Sequence, residues 1–349
     1  MKLEEHIPLG PRTTFGVGGP ARYFAEAEDE DDLVMALAFA KTRNVPVFVL
    51  GGGSNLLVSD SGYPGMVLKI AARGVQLDDA GDNIRVTAAA GEDWDGIVAS
   101  CVESNLGGVE CLSGIPGSVG GTPVQNVGAY GQEVADTIVS VRALDREAES
   151  IVELSHAECG FAYRTSIFNT TQRDRYIVLQ VTYSLRKNGV PFVKYPDVQR
   201  RLGAGTRPPT LAEVRRAVRE IRASKGMLIV EGDPDCRSAG SFFKNPVITE
   251  AEYSALQTNA GDAVPRYPAT NGNVKTSAAW LIEHSGFAKG FALGPAALSR
   301  KHTLALINAG GACAADIVAL AREIRRGVQD HFGIRLTPEP VFVGFIEEF

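Results

Sequence analysis

Between Ser113 and Gly131 the chain reads SGIPGSVGGTPVQNVGAYG. Six of these nineteen residues are glycine, yet Pro, Gln, Asn and Tyr stand at fixed points among them. Glycine opens positive φ and close backbone approach, and each one adds to the entropy lost on folding. A stretch this rich in it needs its backbone N–H groups against something, and phosphate suits such groups best. Ile115, Val119, Val124 and Val127 make it too apolar for a solvated linker.

A second glycine cluster follows an apolar run. Val45-Pro46-Val47-Phe48-Val49-Leu50 reads as a buried strand and leads directly into Gly51-Gly52-Gly53-Ser54-Asn55. The segment before it reads as a helix, with Glu30, Asp31 and Asp32 at its start, Lys41 and Arg43 at its end, and Leu33, Ala36, Leu37 and Ala40 as its apolar stripe. Helix, strand and glycine turn suggest an α/β layer ending in a phosphate-binding loop, with a plain strand-to-turn junction as the equal alternative for GGGSN taken alone. The pattern fits neither the dinucleotide-binding G-x-G-x-x-G nor the P-loop, which needs a lysine after its glycines.

At 349 residues the chain is long enough for two or three domains. A net charge of −6 speaks against nucleic acid or an anionic membrane as partner. No apolar run reaches the roughly 18 residues of a membrane helix, and the first residues lack a signal-peptide core. Five scattered cysteines without C-x-x-C spacing read as reduced thiols of a cytoplasmic protein. The histidines show no ligand spacing, so no metal site is expected.

Further strands are expected at 66–70, 84–90, 138–144, 151–154 and 176–185, with a helix over 94–104. Composition shifts to Arg, Gly and Pro over 200–209, a connection. Thr210-Leu211-Ala212-Glu213 is a capping box, and Leu211, Val214, Val218 and Ile221 continue a helix towards Gly226. Arg215, Arg216, Arg219 and Arg222 read as its solvated face. Helices are also expected at 277–284 and 315–332, and the closing 334–349 reads as strand-like.

Three segments combine polar residues with unusual surroundings. In Tyr163-Arg164-Thr165-Ser166 the guanidinium suits a carboxylate or phosphate, though an exposed ion pair is the commoner outcome. In Ser238-Ala239-Gly240-Ser241-Phe242-Phe243-Lys244-Asn245-Pro246 a hydroxyl could project from a tight, partly dry bend, or the stretch could be a simple turn before a strand. Glu339, held between two prolines, could be catalytic or an ordinary surface charge.

Taken in order, these motifs resemble one family, the UDP-N-acetylenolpyruvoylglucosamine reductases, flavoproteins of peptidoglycan precursor synthesis. The resemblance runs through Thr13–Gly19, Gly51–Leu57, the 113–131 segment, Tyr163-Arg164, Gly240–Pro246, Ala279–Ile282 and Pro338-Glu339. It implies an α+β fold: an FAD-binding N-terminal region of the vanillyl-alcohol-oxidase type in two α/β subdomains, then an α/β substrate-binding domain. The spans expected are 1–70 with 336–349 returning to it, 71–209, and 210–335.

By the same resemblance FAD is the cofactor, lined by Gly51, Gly52, Gly53, Ser54 and Asn55. Ser113, Ile115, Pro116, Gly117, Gly120, Gly121, Gln125, Asn126, Gly128 and Tyr130 complete that wall. NADPH is the co-substrate, and the enolpyruvyl group of the sugar nucleotide takes a hydride at its β-carbon. The charge that develops must be stabilised where it forms; the resemblance assigns this to Arg164 and Glu339 and the α-carbon proton to Ser241. Tyr195, Lys225, Asn245 and His284 are the implied substrate contacts. Tyr195 lies in an insertion over 188–198 like that of the subgroup with a tyrosine flap, while Lys225 also fits an ordinary helix-end lysine. His284 stands where some relatives have glutamine, and Pro340 where many have an aliphatic residue. A cytoplasmic monomer is implied. Two other readings stay open: a flavin oxidase, against which the absence of His or Cys from 113–131 speaks, and a sensor that has lost its chemistry, against which the retained Arg164, Ser241 and Glu339 speak.

Overall fold

A computed structural model describes residues 1–191, 193–203 and 207–346. Phe192 of the expected insertion, residues 204–206 of the expected connection and 347–349 of the expected closing strand lie outside the described residues. The chain forms two compact units, drawn differently from the three expected spans. The first holds residues 1–7, 21–53 and 64–223, and the second holds 8–20, 54–63 and 224–349.

The first unit carries two large sheets and a two-stranded pairing of Gly128–Ala129 with Gln132–Glu133. Leu3–Pro8, Pro20–Ala27, Tyr63–Ile70 and Val47–Leu50 form one in that order. Val47–Leu50 runs parallel to Met66–Lys69, which directs the chain straight off the strand into Gly51. The other sheet is antiparallel, in the order Ser150–Ser155, Ile138–Asp145, Tyr176–Lys187, Asn83–Ala89, Val75–Ala80. The expected strand ends are shifted by up to three residues. Tyr176–Lys187 alternates inward and outward, and its Val181, Tyr183 and Leu185 are buried. Helix Glu30–Arg43 starts on Asp29, whose carboxylate accepts from the Asp32 N–H, and ends on Asn44 in the left-handed conformation. Helix Trp94–Glu103 starts on Asp93 in the same way.

Helix Leu211–Ser224 has the expected capping box, with the Thr210 N–H donating to Glu213 at 2.8 Å. Its arginine face corrects the sequence reading. Arg215 and Arg219 are ion-paired to Asp95, and Arg222 is only 8% exposed. Arg216 is exposed as expected, so the correction concerns Arg215 and Arg219, which are paired, and Arg222, which is buried.

The second unit holds helices Glu250–Asn259, Ala278–His284 and Ala314–Phe332 and small sheets between them. Gly333, at φ 71°, stops the last helix as expected. In the closing segment only Val341–Val343 is strand among the described residues, paired in parallel with Leu56–Val58. This corrects the expectation of a strand over the whole segment: parallel pairing needs a partner, and Leu56–Val58 offers three residues.

Three glycines interlock this junction. A Cβ on Gly62 would lie 1.9 Å from the Pro20 carbonyl oxygen, one on Gly344 1.9 Å from that of Gly62, and one on Gly19 2.1 Å from that of Asp60. Gly62 also sits at φ 76°. Gly62→Ala is therefore expected to remove about 3 kcal/mol or more of stability and lower the melting temperature by about 10 °C. A wild-type melting curve would show that the backbone here yields freely.

Candidate functional site

Strand Val47–Leu50 delivers the first glycine loop against the second. A Cβ on Gly52 would stand 2.4 Å from the Gly117 Cα, and one on Gly51 2.7 Å from the Ser118 Oγ. No larger residue fits at Gly52 with the loops this close, because the atoms it would meet are backbone, whereas at Gly51 the neighbour is a hydroxyl that can turn. Gly53 and Gly117 add φ values of 67° and 128°. Ser118 is fixed by a bridge to Asp93, the cap of helix Trp94–Glu103. Among the described residues, none accepts a hydrogen bond from the N–H of Gly52, Gly53, Gly117 or Ser118. Four backbone donors on adjoining loops, without a backbone acceptor among the described residues and with Gly52 lacking room for a Cβ, fit a diphosphate.

The rest of the segment is built differently from point to point. Gly120 packs on Ala90, where a Cβ would come within 2.7 Å, whereas a Cβ on Gly121 would meet nothing within 4 Å. Ile115, Pro116 and Gln125 are half-buried, whereas Ser113 is fully buried and donates from Oγ to the Glu110 carbonyl at 2.6 Å. Asn126, buried at φ 45°, donates to Glu133 at 2.8 Å and to the Ala162 carbonyl at 3.0 Å, and accepts from the Ala135 N–H at 3.1 Å. That amide organises the loop from within. Gly128 offers its carbonyl to Arg164 Nη2 at 2.7 Å.

Arg164 is thereby tied to the glycine segment inside the first unit. It sits at φ 53°, its guanidinium lies 5.5 Å from the Tyr163 ring centre, and Asn169 donates to its carbonyl at 3.1 Å. A non-glycine residue held at positive φ is strained, and strain of this kind persists where the surroundings enforce it.

Ser54, Asn55, Ser241 and Glu339 lie in the second unit. The Glu339 N–H donates to the Phe242 carbonyl at 2.8 Å, Lys244 donates to the Thr337 carbonyl at 2.9 Å, and Phe243 bridges Pro338. The two expected segments thus form one short ladder with Ser241 and Glu339 on it. Phe242 and Phe243 are buried and anchor it, while Gly240 at φ 72° makes the bend before it. Thr14 Oγ1 donates to the Ser238 carbonyl at 2.6 Å, and Asn55 Nδ2 reaches the Glu339 carbonyl at 3.4 Å.

The expected substrate contacts are spread over both units. Tyr195 starts helix Pro196–Leu202 and meets Tyr130 edge-on, with ring centres 5.4 Å apart. Lys225 neighbours His302, whose ring is pushed down to about 4 by burial and by the charges of Lys225 and Lys289. That cationic surrounding, absent from the sequence reading, suits a phosphate. Asn245 Oδ1 accepts from the Ala278 N–H at 3.0 Å and so steadies helix Ala278–His284. His284 donates from Nδ1 to the Trp280 carbonyl at 2.8 Å and stacks on the Trp280 ring at 3.8 Å. Among the described residues no cluster of His, Cys, Asp and Glu could hold a metal ion, and no helix is long and apolar enough to cross a membrane.

Comparison with known proteins places the chain in a family. Residues 21–155 match the family described as FAD binding domain, and residues 233–343 match the C-terminal domain of UDP-N-acetylenolpyruvoylglucosamine reductase. The reductase of that name from Nocardia farcinica is 49% identical, covering 98% of this chain and 90% of its own. The one from Thermobifida fusca is 47% identical over 97% of both. The crystal structure of the Thermus caldophilus reductase aligns with a TM-score of 0.66 at 28% identity, covering 98% of this chain and 99% of that one.

Proposed function

The chain belongs to the UDP-N-acetylenolpyruvoylglucosamine reductases, and from this premise we propose how its own residues carry the reaction. It is an FAD-dependent oxidoreductase of α+β fold with a C-terminal reductase domain. The substrate is the enolpyruvyl ether of UDP-N-acetylglucosamine, the product is UDP-N-acetylmuramate for peptidoglycan, and the reductant is NADPH. FAD, when bound, would supply two-electron hydride chemistry between NADPH and the enolpyruvyl β-carbon.

The residues of the chain do the remaining work. The N–H groups of Gly52, Gly53, Gly117 and Ser118 hold the cofactor's diphosphate. As hydride reaches the β-carbon, negative charge moves towards the substrate carboxylate, and a fixed cation there lowers the barrier. Arg164 supplies it, its guanidinium held by Gly128. Ser241 holds a proton at Oγ and gives it to the α-carbon; hydride and proton together saturate the double bond. A serine hydroxyl is a weak acid, so it acts only on strongly basic carbon, which is what the charge at the α-carbon provides. Glu339, protonated or as an orienting partner, helps to stabilise that charge. Tyr195, Lys225 and Asn245 address the sugar nucleotide.

The observation that supports this reading most is the ladder joining Phe242–Lys244 to Thr337–Glu339, because it brings the proton donor and a carboxylate onto adjoining backbone. A cytoplasmic, monomeric enzyme with neither nucleic acid nor membrane as partner is part of the same reading. Purified protein is expected to be yellow, to bleach anaerobically with NADPH, and to regain its colour on addition of the enolpyruvyl sugar nucleotide. Colour that only oxygen restores would favour an oxidase. A colourless preparation that takes up no FAD would end both readings.

A further inference from the structure

Arg215, Arg219 and Arg222 recur at helical spacing, so one side of helix Leu211–Ser224 presents all three. Asp95 gathers the first two: its Oδ1 accepts from Arg215 Nη1 at 2.5 Å, and Arg219 bonds its other oxygen. The same Oδ1 accepts the Gly114 N–H at 2.6 Å. Arg222 takes the other side of this glycine, with Nε donating to the Gly114 carbonyl at 3.0 Å. Tyr130 lies beside it, favours its charge, and packs on the apolar cluster that holds Ile221, the preceding residue. One side chain therefore reaches both ends of the 113–131 segment.

Tyr130 is the link outward. It holds φ 50°, strained for an aromatic residue, and its ring meets that of Tyr195 at 86°. Val193, Val198 and Leu202, on either side of Tyr195 in the chain, belong with Val214, Val218 and Ile221 to one apolar cluster. Burial works against the Arg222 charge, which Tyr130 and Asp95 help to retain. A helix that only needed to pack here would be served better by an aliphatic residue.

We propose that Arg222 is a positioning residue: it staples the start of the glycine segment to its end and, through the Tyr130 ring, sets Tyr195 for the diphosphate of the sugar nucleotide. The last step rests on the role proposed for Tyr195 above; the staple does not.

The test is Tyr130→Phe, which removes the hydroxyl and keeps the ring. In the holoenzyme without substrate, tryptic cleavage after Lys194, Arg200 and Arg201 is expected to rise about tenfold relative to wild type, which is about 1.4 kcal/mol. Arg222→Lys, which keeps the charge but loses the fork, is expected to do the same. Cleavage at wild-type rate in both variants overturns the staple. In steady state, KM for the sugar nucleotide is expected to rise about tenfold in Tyr130→Phe, more than kcat falls. In a Tyr195→Ala background the same change should add less than twofold, because it acts through that ring. Full additivity overturns the coupling to Tyr195. A wild-type holoenzyme that turns over no enolpyruvyl sugar nucleotide rejects the proposed function, and the proteolysis still decides the staple.

Discussion

Ser241→Ala is expected to slow reoxidation of the reduced flavin by the sugar nucleotide by about 10²–10⁴-fold, the range that a positioned proton donor contributes. Reduction by NADPH should stay close to wild type, since that half-reaction needs no proton from Ser241. The substitution removes one oxygen and leaves the ladder to Glu339 intact, because that ladder is made by the backbone of Phe242 and Lys244. Phe242 and Phe243, buried beside it, are expected to stay in place. Rapid mixing under anaerobic conditions separates the two half-reactions by flavin absorbance. An equal loss in both would assign Ser241 to binding or structure, and reoxidation at the wild-type rate would move the donor elsewhere. The same experiment discriminates a sensor from an enzyme, because a sensor would show no substrate-dependent reoxidation in either protein.

What could be read from residues alone was local. The caps on Glu30–Arg43 and Leu211–Ser224 were legible because each is complete within a few residues of the helix end. The glycine loops were legible because their composition is costly anywhere else. Helix Glu250–Asn259 was missed although Thr249 and Glu252 form its capping box; its short, polar sequence carries a weak stripe. Strands Leu3–Pro8 and Pro20–Ala27 were missed for a different reason, since they pair across an intervening glycine- and proline-rich run. The arginines of Leu211–Ser224 show the limit most clearly. Periodicity put Arg215, Arg219 and Arg222 on one face, but only the fold reveals Asp95, more than a hundred residues earlier, waiting to cover it. Asn126 carries the same lesson within the site. Its place in the motif was legible, whereas the use of its amide to brace Glu133 and Ala162 was not.

Gly52→Ala is expected to yield folded but nearly colourless protein. The added Cβ would lie 2.4 Å from the Gly117 Cα and 2.7 Å from its carbonyl carbon. Both are backbone atoms, so no rotamer change relieves the overlap, and the two loops must separate. Separation pulls the N–H groups of Gly52 and Gly53 away from those of Gly117 and Ser118, which then no longer converge on one anion. Charge-assisted hydrogen bonds contribute about 1.5–3 kcal/mol each. Losing two of them weakens FAD binding by at least about 100-fold, and the flavin should wash out during purification. Circular dichroism and the melting curve of the apoprotein distinguish this outcome from misfolding. The hydrophobic core of the first unit is expected to survive, because the contact lies at the loop tips beyond strand Val47–Leu50. Retention of a full complement of FAD through gel filtration would show that these loops do not hold the diphosphate. The wall would then have to be sought along Ile115, Pro116 and Gln125, whose side chains are half-buried.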